Sequence, residues 1–123
     1  MKILAVLTPV VTSSLAHAAT VAFYEQLFEQ PASPSFEDNG LHITKISLAV
    51  VISAADEALL AIPRQLDAIF SVDDVEAYWE LLAAQSAHAL TQPAPVPGGR
   101  NFFIQHPDGK TVEYLQVTPP WTA

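Results

Sequence analysis

Thirteen carboxylates, four histidines and no cysteine set what this 123-residue chain can do chemically. Without a thiol it has no Cys nucleophile, no disulfide and no thiolate metal site. Carboxylate chemistry is left: holding a cation, ligating a hard metal ion, or moving a proton. Two carboxylates lie in strand-like sequence. Glu113 alternates with Thr111 and Leu115 in "TVEYLQV", and Asp67 with Ile69 and Ser71 in "QLDAIFSV", so each shares one strand face with those neighbours. Phe102 and Phe103, adjacent in "RNFFIQ", point to opposite faces. One of them can wall a ligand pocket, and the sequence leaves open which.

Each candidate has a structural alternative. Glu113 is either a pocket carboxylate or the partner of a neighbour such as Arg100. Asp67 is either a second pocket carboxylate or a solvated strand residue. His106 sits in a turn, where exposure is the ordinary state. His17, His42 and His88 share no metal-ligand spacing such as H-x-x-x-H. Tyr24, Tyr78 and Trp79 read as helix-to-sheet packing. The chain has no Ser-His-Asp order and no P-loop, and its four glycines leave little for a phosphate cradle.

Composition narrows the partners. The net charge of −8 argues against nucleic acid, which needs clustered Lys and Arg. It suits solubility and could steer a cationic ligand. No apolar run reaches the length of a membrane span. Half the residues are hydrophobic, enough for one domain with a real core. A cytoplasmic location is the expectation, although the lack of Cys does not fix the compartment.

The elements that must position these residues read as follows. Ile3 to Val11 is a buried strand. Thr12, Ser13 and Ser14 can cap a helix over Leu15 to Glu29 whose apolar side is Leu15, Ala19, Ala22, Phe23 and Leu27, ended by Pro31 and Pro34. Asn39-Gly40 marks a hairpin. Leu41 to Ser53 holds one or two strands, and Ala54 to Ile62 a short helical linker closed by Pro63. Gln65 to Val72 is a strand. Asp73 or Asp74 caps a helix with Val75, Tyr78, Trp79 and Leu82 on one face. The Pro-rich "QPAPVPGG" is a loop or edge strand, and the last two strands are joined at "HPDGK".

Order repeats across the chain. "AFYEQL" from Ala22 matches "AYWELL" from Ala77 at an offset of 55 residues. Each copy follows a strand and precedes more strands, giving strand–helix–strands twice. "MKILAVLTPVVTSSLAHAAT" also has the look of a secretory signal, with Ala16-His17-Ala18 as an A-x-A site. Removing it would delete a strand and part of a helix from the first repeat, so it is expected to belong to the fold.

Three segments carry a resemblance to the vicinal oxygen chelate superfamily, the glyoxalase/bleomycin-resistance/dioxygenase family: "VAFYEQLF", "FSVDDVEAYWELL" and "GGRNFFIQHPDGKTVEYLQ". The resemblance implies an α+β fold of two βαβββ modules, with curved mixed sheets around a pocket and helices outside. Module 1 would be residues 1–53, the linker 54–63 and module 2 residues 64–123, in one domain. It also implies a homodimer. Enzymes of the family hold a divalent metal with four side chains, from the first and last strand of each module. Those positions fall on Glu113, near Asp67, near Ala5 or Val6, and within Leu48 to Ile52, so at least two cannot ligate. No cofactor is therefore expected; a divalent metal, if bound, would rest on Glu113 and Asp67. The departure implies a metal-free member that binds a small organic ligand, of the resistance type that sequesters a drug. The ligand would meet Glu113, Asp67, Phe103, Ile69 and Leu115, with no catalytic residue assigned. The alternative is a divergent metal-dependent lyase, isomerase or dioxygenase of the same superfamily.

Overall fold

A computed structural model describes residues Met1–Ala123. Nine strands and two α-helices follow in the order β1 (Ile3–Val11), α1 (His17–Phe28), β2 (Phe36–Asp38), β3 (Leu41–Ile46), β4 (Ala49–Ala54), β5 (Ala68–Val72), α2 (Val75–Ala83), β6 (His88–Ala89), β7 (Ala94–Val96), β8 (Gly99–Gln105) and β9 (Thr111–Val117). Two 3₁₀ turns, Glu57–Leu60 and Pro63–Gln65, fill the linker between β4 and β5. The elements therefore read βαβββ twice, the second time with one of its strands in two pieces. No helix is long and apolar enough to cross a membrane.

The chain divides into two compact units, Thr8–Gln65 and Met1–Leu7 with Leu66–Ala123. In the first, β2, β3 and β4 run antiparallel, and Thr8–Val11 of β1 adds parallel to β4. Asn39 and Gly40 take φ of 48° and 84° and make the tight β2–β3 turn, a conformation that favours glycine. The stretch from Leu41 to Ser53 is two strands, parted at Ser47, whose φ is 49°. All six residues of β4 are buried, so alternation is absent there and no boundary shows in the sequence.

In the second unit Ile3–Leu7 of β1 pairs antiparallel with β5, β5 parallel with β9, and β9 antiparallel with β8. β6 and β7 both pair with β8 and together take the place of one edge strand. Pro93, which lacks an N–H for a ladder, lies in the interruption between them. The core of this unit lies between α2 and the sheet: Val75, Tyr78 and Leu82 of the helix against Val72, Phe102, Ile104, Val112 and Tyr114. Asp74 caps α2 by accepting from Ala77 N at 3.1 Å. Asp73 is not the cap. Its backbone N–H donates to Lys2 O, and its Oδ1 accepts from Lys2 N at 2.7 Å.

α1 departs from its expected orientation. Leu15 is 97% exposed, Phe23 57% and Leu27 62%, so the apolar stripe read from the sequence faces outward. The inward face is His17, Val21, Tyr24 and Phe28. The same face on α2 is Val75, Tyr78 and Leu82, which match Val21, Tyr24 and Phe28 at an offset of 54. The sequence repeat at 55 is one residue out of phase with the packing. One residue turns a helix by about 100°, enough to exchange its buried and exposed sides. The capping expectation also changes: Ala16 is the N-cap and no side chain caps the helix, while Ser13 Oγ accepts from Ala16 N at 3.1 Å.

Candidate ligand-binding site

Strand register decides which side chains meet. Leu7 is opposite Ile69, Ile69 opposite Glu113, and Glu113 opposite Phe103. Directly paired residues share a face, so Leu7, Ile69, Glu113 and Phe103 form one line across four strands. The next line on that face is Ala5, Ser71, Leu115 and Asn101. The other face carries Phe70, Tyr114 and Phe102, which belong to the α2 side. Phe103 is therefore the phenylalanine beside the carboxylate. Phe102 is fully buried among Trp79 and Tyr114. Ile69 and Leu115 also lie on the Glu113 side, both buried.

Glu113 is half-buried, and its Oε2 accepts from Asn101 Nδ2 at 3.0 Å. This hydrogen bond fixes the direction of the carboxyl group. Arg100 is directed elsewhere: its guanidinium Nε donates to Glu76 Oε1 of α2 at 2.8 Å. Asp67 is exposed at the entry to β5. Its Oδ2 accepts from Thr111 N at 2.9 Å, and its backbone N–H donates to Thr111 O at 2.8 Å. Asp67 thus fastens the start of β9, the strand that bears Glu113. Ser71 has no protein partner for its fully buried Oγ. A buried hydroxyl of this kind requires an explanation such as water or a ligand group.

The metal centre that the resemblance implies needs donors from four strands. Ala5 and Val6 offer no donor atom, and β4 is Ala49–Ala54, "AVVISA", whose one hydroxyl belongs to Ser53 against His17. No three His, Cys, Asp or Glu side chains gather anywhere in the chain. Two carboxylates remain, and one of them is tied to a backbone N–H. A catalytic metal needs about three protein ligands. The residues present do not fit one.

His106 lies on the helix side, away from Glu113. Its Nε2 is 2.8 Å from Tyr114 Oη. With Leu82, Gln85, Pro107 and Asp108 these two rings line an open cleft of about 370 Å³. Burial, and then the neighbouring Tyr78, push the Tyr114 phenol up to about 12. The turn residue thus has a partner that turn geometry alone does not supply.

A polar cluster in the first unit has no signal in the sequence. His17 Nδ1 is 2.6 Å from Ser53 Oγ and its Nε2 2.8 Å from Thr44 Oγ1. Thr44 Oγ1 is in turn 2.6 Å from Ser35 Oγ. His42 stacks on His17 with ring centroids 3.8 Å apart and planes 12° from parallel. Burial first, and His42 second, hold the His17 imidazole below its ordinary value of 6.5. These residues come from α1, β3, β4 and a loop, so no local spacing announces them.

No protein-family model matches the chain, and no curated protein matches it. Solved structures do. An uncharacterized protein from Methanosarcina mazei is 33% identical, with a TM-score of 0.83 over 95% of this chain and 94% of that one. Methylmalonyl-CoA epimerase from Mycobacterium tuberculosis is 14% identical, with a TM-score of 0.71 over 95% and 91%. A variant of 4-hydroxymandelate synthase from Streptomyces coelicolor is 18% identical, with a TM-score of 0.59 over 90% of this chain and 47% of that one. The last two likenesses speak for the fold alone, and both are vicinal oxygen chelate folds. The α+β arrangement of two βαβββ modules is the one that the resemblance implied. By its identity over nearly the whole length of both chains, the protein belongs to the same family as the Methanosarcina mazei protein, with the vicinal oxygen chelate fold.

Proposed function

We propose that the protein binds a small organic molecule without a metal, and that Glu113 orients the molecule's cationic or hydrogen-bond-donating group. One observation carries this reading: a half-buried carboxylate, steadied by Asn101, stands in line with apolar Leu7, Ile69 and Phe103. Apolar walls with a few convergent polar groups are the usual make-up of a small-molecule site. Leu115 and the unpartnered Ser71 hydroxyl extend the same face. Asp67 serves by setting the start of β9. The acidic charge of −8 favours a cationic ligand over an anionic one. Sequestration of the resistance type is the form this binding would take.

Thermal-shift and calorimetric titration with aromatic ammonium compounds and their neutral isosteres tests the reading. Stabilisation by the ammonium series, weakened about tenfold or more in Glu113→Gln, is the expected result. Equal response to both series, or none, would overturn it. Elemental analysis of the same preparation separates the alternative. One equivalent of a tightly held divalent metal, lost in Glu113→Ala, would move the protein to the metal-dependent lyases, isomerases and dioxygenases of this fold.

A homodimer is part of the proposal. The outward side of α1 presents Ala18, Ala19, Ala22, Phe23 and Leu27, and Leu15 in the turn before it, without a charge among them. On a chain of net charge −8, such a face lets two copies meet without like-charge repulsion.

A further inference from the structure

We propose that His17 and His42 form an acid-sensitive latch that holds α1 on its sheet. His17 is 4% exposed, and it is the one buried residue of α1. The rest of the inward face, Val21, Tyr24 and Phe28, is only half-buried. The helix has no side-chain N-cap, so much of its hold on the sheet runs through the two ring nitrogens of His17. In the neutral ring one nitrogen donates and the other accepts. Ser53 and Thr44 supply one matching hydroxyl each, at 2.6 and 2.8 Å.

Added charge finds poor support at this place. β4 presents only Ser53, and Thr8–Val11 of β1 has no titratable side chain. β3 presents His42, whose ring lies flat on His17 at 3.8 Å. Lys45 is on the opposite face of β3, one position from Thr44. On α1 the one charged residue is Glu25, whose Oε2 accepts from Ala32 N at 2.8 Å. Glu37 of β2 stands directly opposite His42 and can face a charge there, but no carboxylate contacts His17. Protonation of His17 would therefore place a cation out of water, against a stacked ring and with no carboxylate in contact.

The direction of the effect follows from linkage. In an open state, with α1 lifted, His17 is solvated and takes up its proton at the ordinary value of 6.5. In the closed state it resists protonation. The closed state is at full strength above pH 6.5 and weakens as pH falls below it, by up to about tenfold per pH unit for one proton. Acid thus frees α1, whereas near α2 the one histidine, half-buried His106, bonds Tyr114 beside the open cleft that Leu82 also lines.

Histidine-resolved NMR titration from about pH 8 to 5, with amide exchange corrected for its intrinsic pH dependence, tests the latch. The expected result is a His17 that takes up its proton below 6.5 and an α1 whose protection falls up to about tenfold per unit below that point, while α2 protection holds. His42→Ala should raise the His17 titration toward 6.5. His17→Gln, which can still reach both hydroxyls but cannot titrate, should make α1 protection independent of pH. If that variant does not fold, the wild-type and His42→Ala measurements still decide. Titration of His17 at 6.5 with α1 unchanged would overturn the proposal, as would loss of α1 and α2 protection together.

Discussion

Phe102 stacks on Tyr114 with ring centroids 5.0 Å apart and planes 6° from parallel. The two are paired across β8 and β9, and the next pair is Phe103 with Glu113. A step of one residue along both strands therefore passes from an aromatic core to a carboxylate site. The two sides are coupled, because a shift of either strand would move both pairs at once.

The two adjacent phenylalanines should separate in a stability measurement. Phe102→Ala removes a fully buried ring and should cost about 3–5 kcal/mol in urea unfolding. Phe103→Ala, at a half-buried position, should cost less than half of that and act chiefly on ligand binding. Equal losses would mean that the Glu113 side is packed as a second core.

Tyr114 sets an alkaline limit. Its phenol ionises at about 12 in the folded chain, against an ordinary value of 10.0. A raised folded value gives stability that is complete below pH 10 and is lost as pH rises through about 12. Absorbance titration near the tyrosinate band should show this late ionisation, and Tyr114→Phe should remove it. The same variant loses the His106 partner, at about 1 kcal/mol.

Gly99 begins β8 where a Cβ would overlap the carbonyl oxygen of Gln116. Gly99→Ala must push β8 from β9 at that end and should cost about 1–3 kcal/mol. Chemical shifts of Asn101 and Glu113 should move with it, since both lie on this strand pair.

Leu27→Glu tests the outward face of α1. The residue is 62% exposed, so monomer stability should change by no more than about 0.5 kcal/mol. Light scattering should show a dimer for the wild type and a monomer for the variant. A variant that unfolds instead would mean that the α1 stripe is covered within one chain.

The order of elements is legible in the sequence, and for a physical reason. Asn39-Gly40, the Asp73-Asp74 cap region and "HPDGK" are local signals, and each marks a turn or helix start in the structure. The side of β9 that bears Glu113 is legible too, because the period of two survives burial on both faces. Tertiary relations are less so. α1 is apolar around most of its circumference, so its stripe is compatible with two phases, and the repeat at 55 favours the wrong one. His17 meets Ser53 and His42 only through pairing of distant strands. Asn101, the partner of Glu113, stands twelve positions away and is identified only by the β8–β9 register.

The two helices differ in how they are fastened. α2 starts with Asp74 bonded to Ala77 N, Gln116 bonded to Val75 N and Glu76 paired with Arg100. Before α1, Ser13 Oγ accepts from Ala16 N and Thr12 Oγ1 accepts from Thr20 Oγ1 at 3.4 Å, with no carboxylate cap or ion pair. Two copies of one supersecondary unit are thus fastened unequally at their helix starts. A protease probing the native state should cut first near Ser13 and Ser14, long before it reaches the matching position at Asp73. Such a chain would respond to stress in stages, with one half yielding while the half that bears Glu113 stays closed.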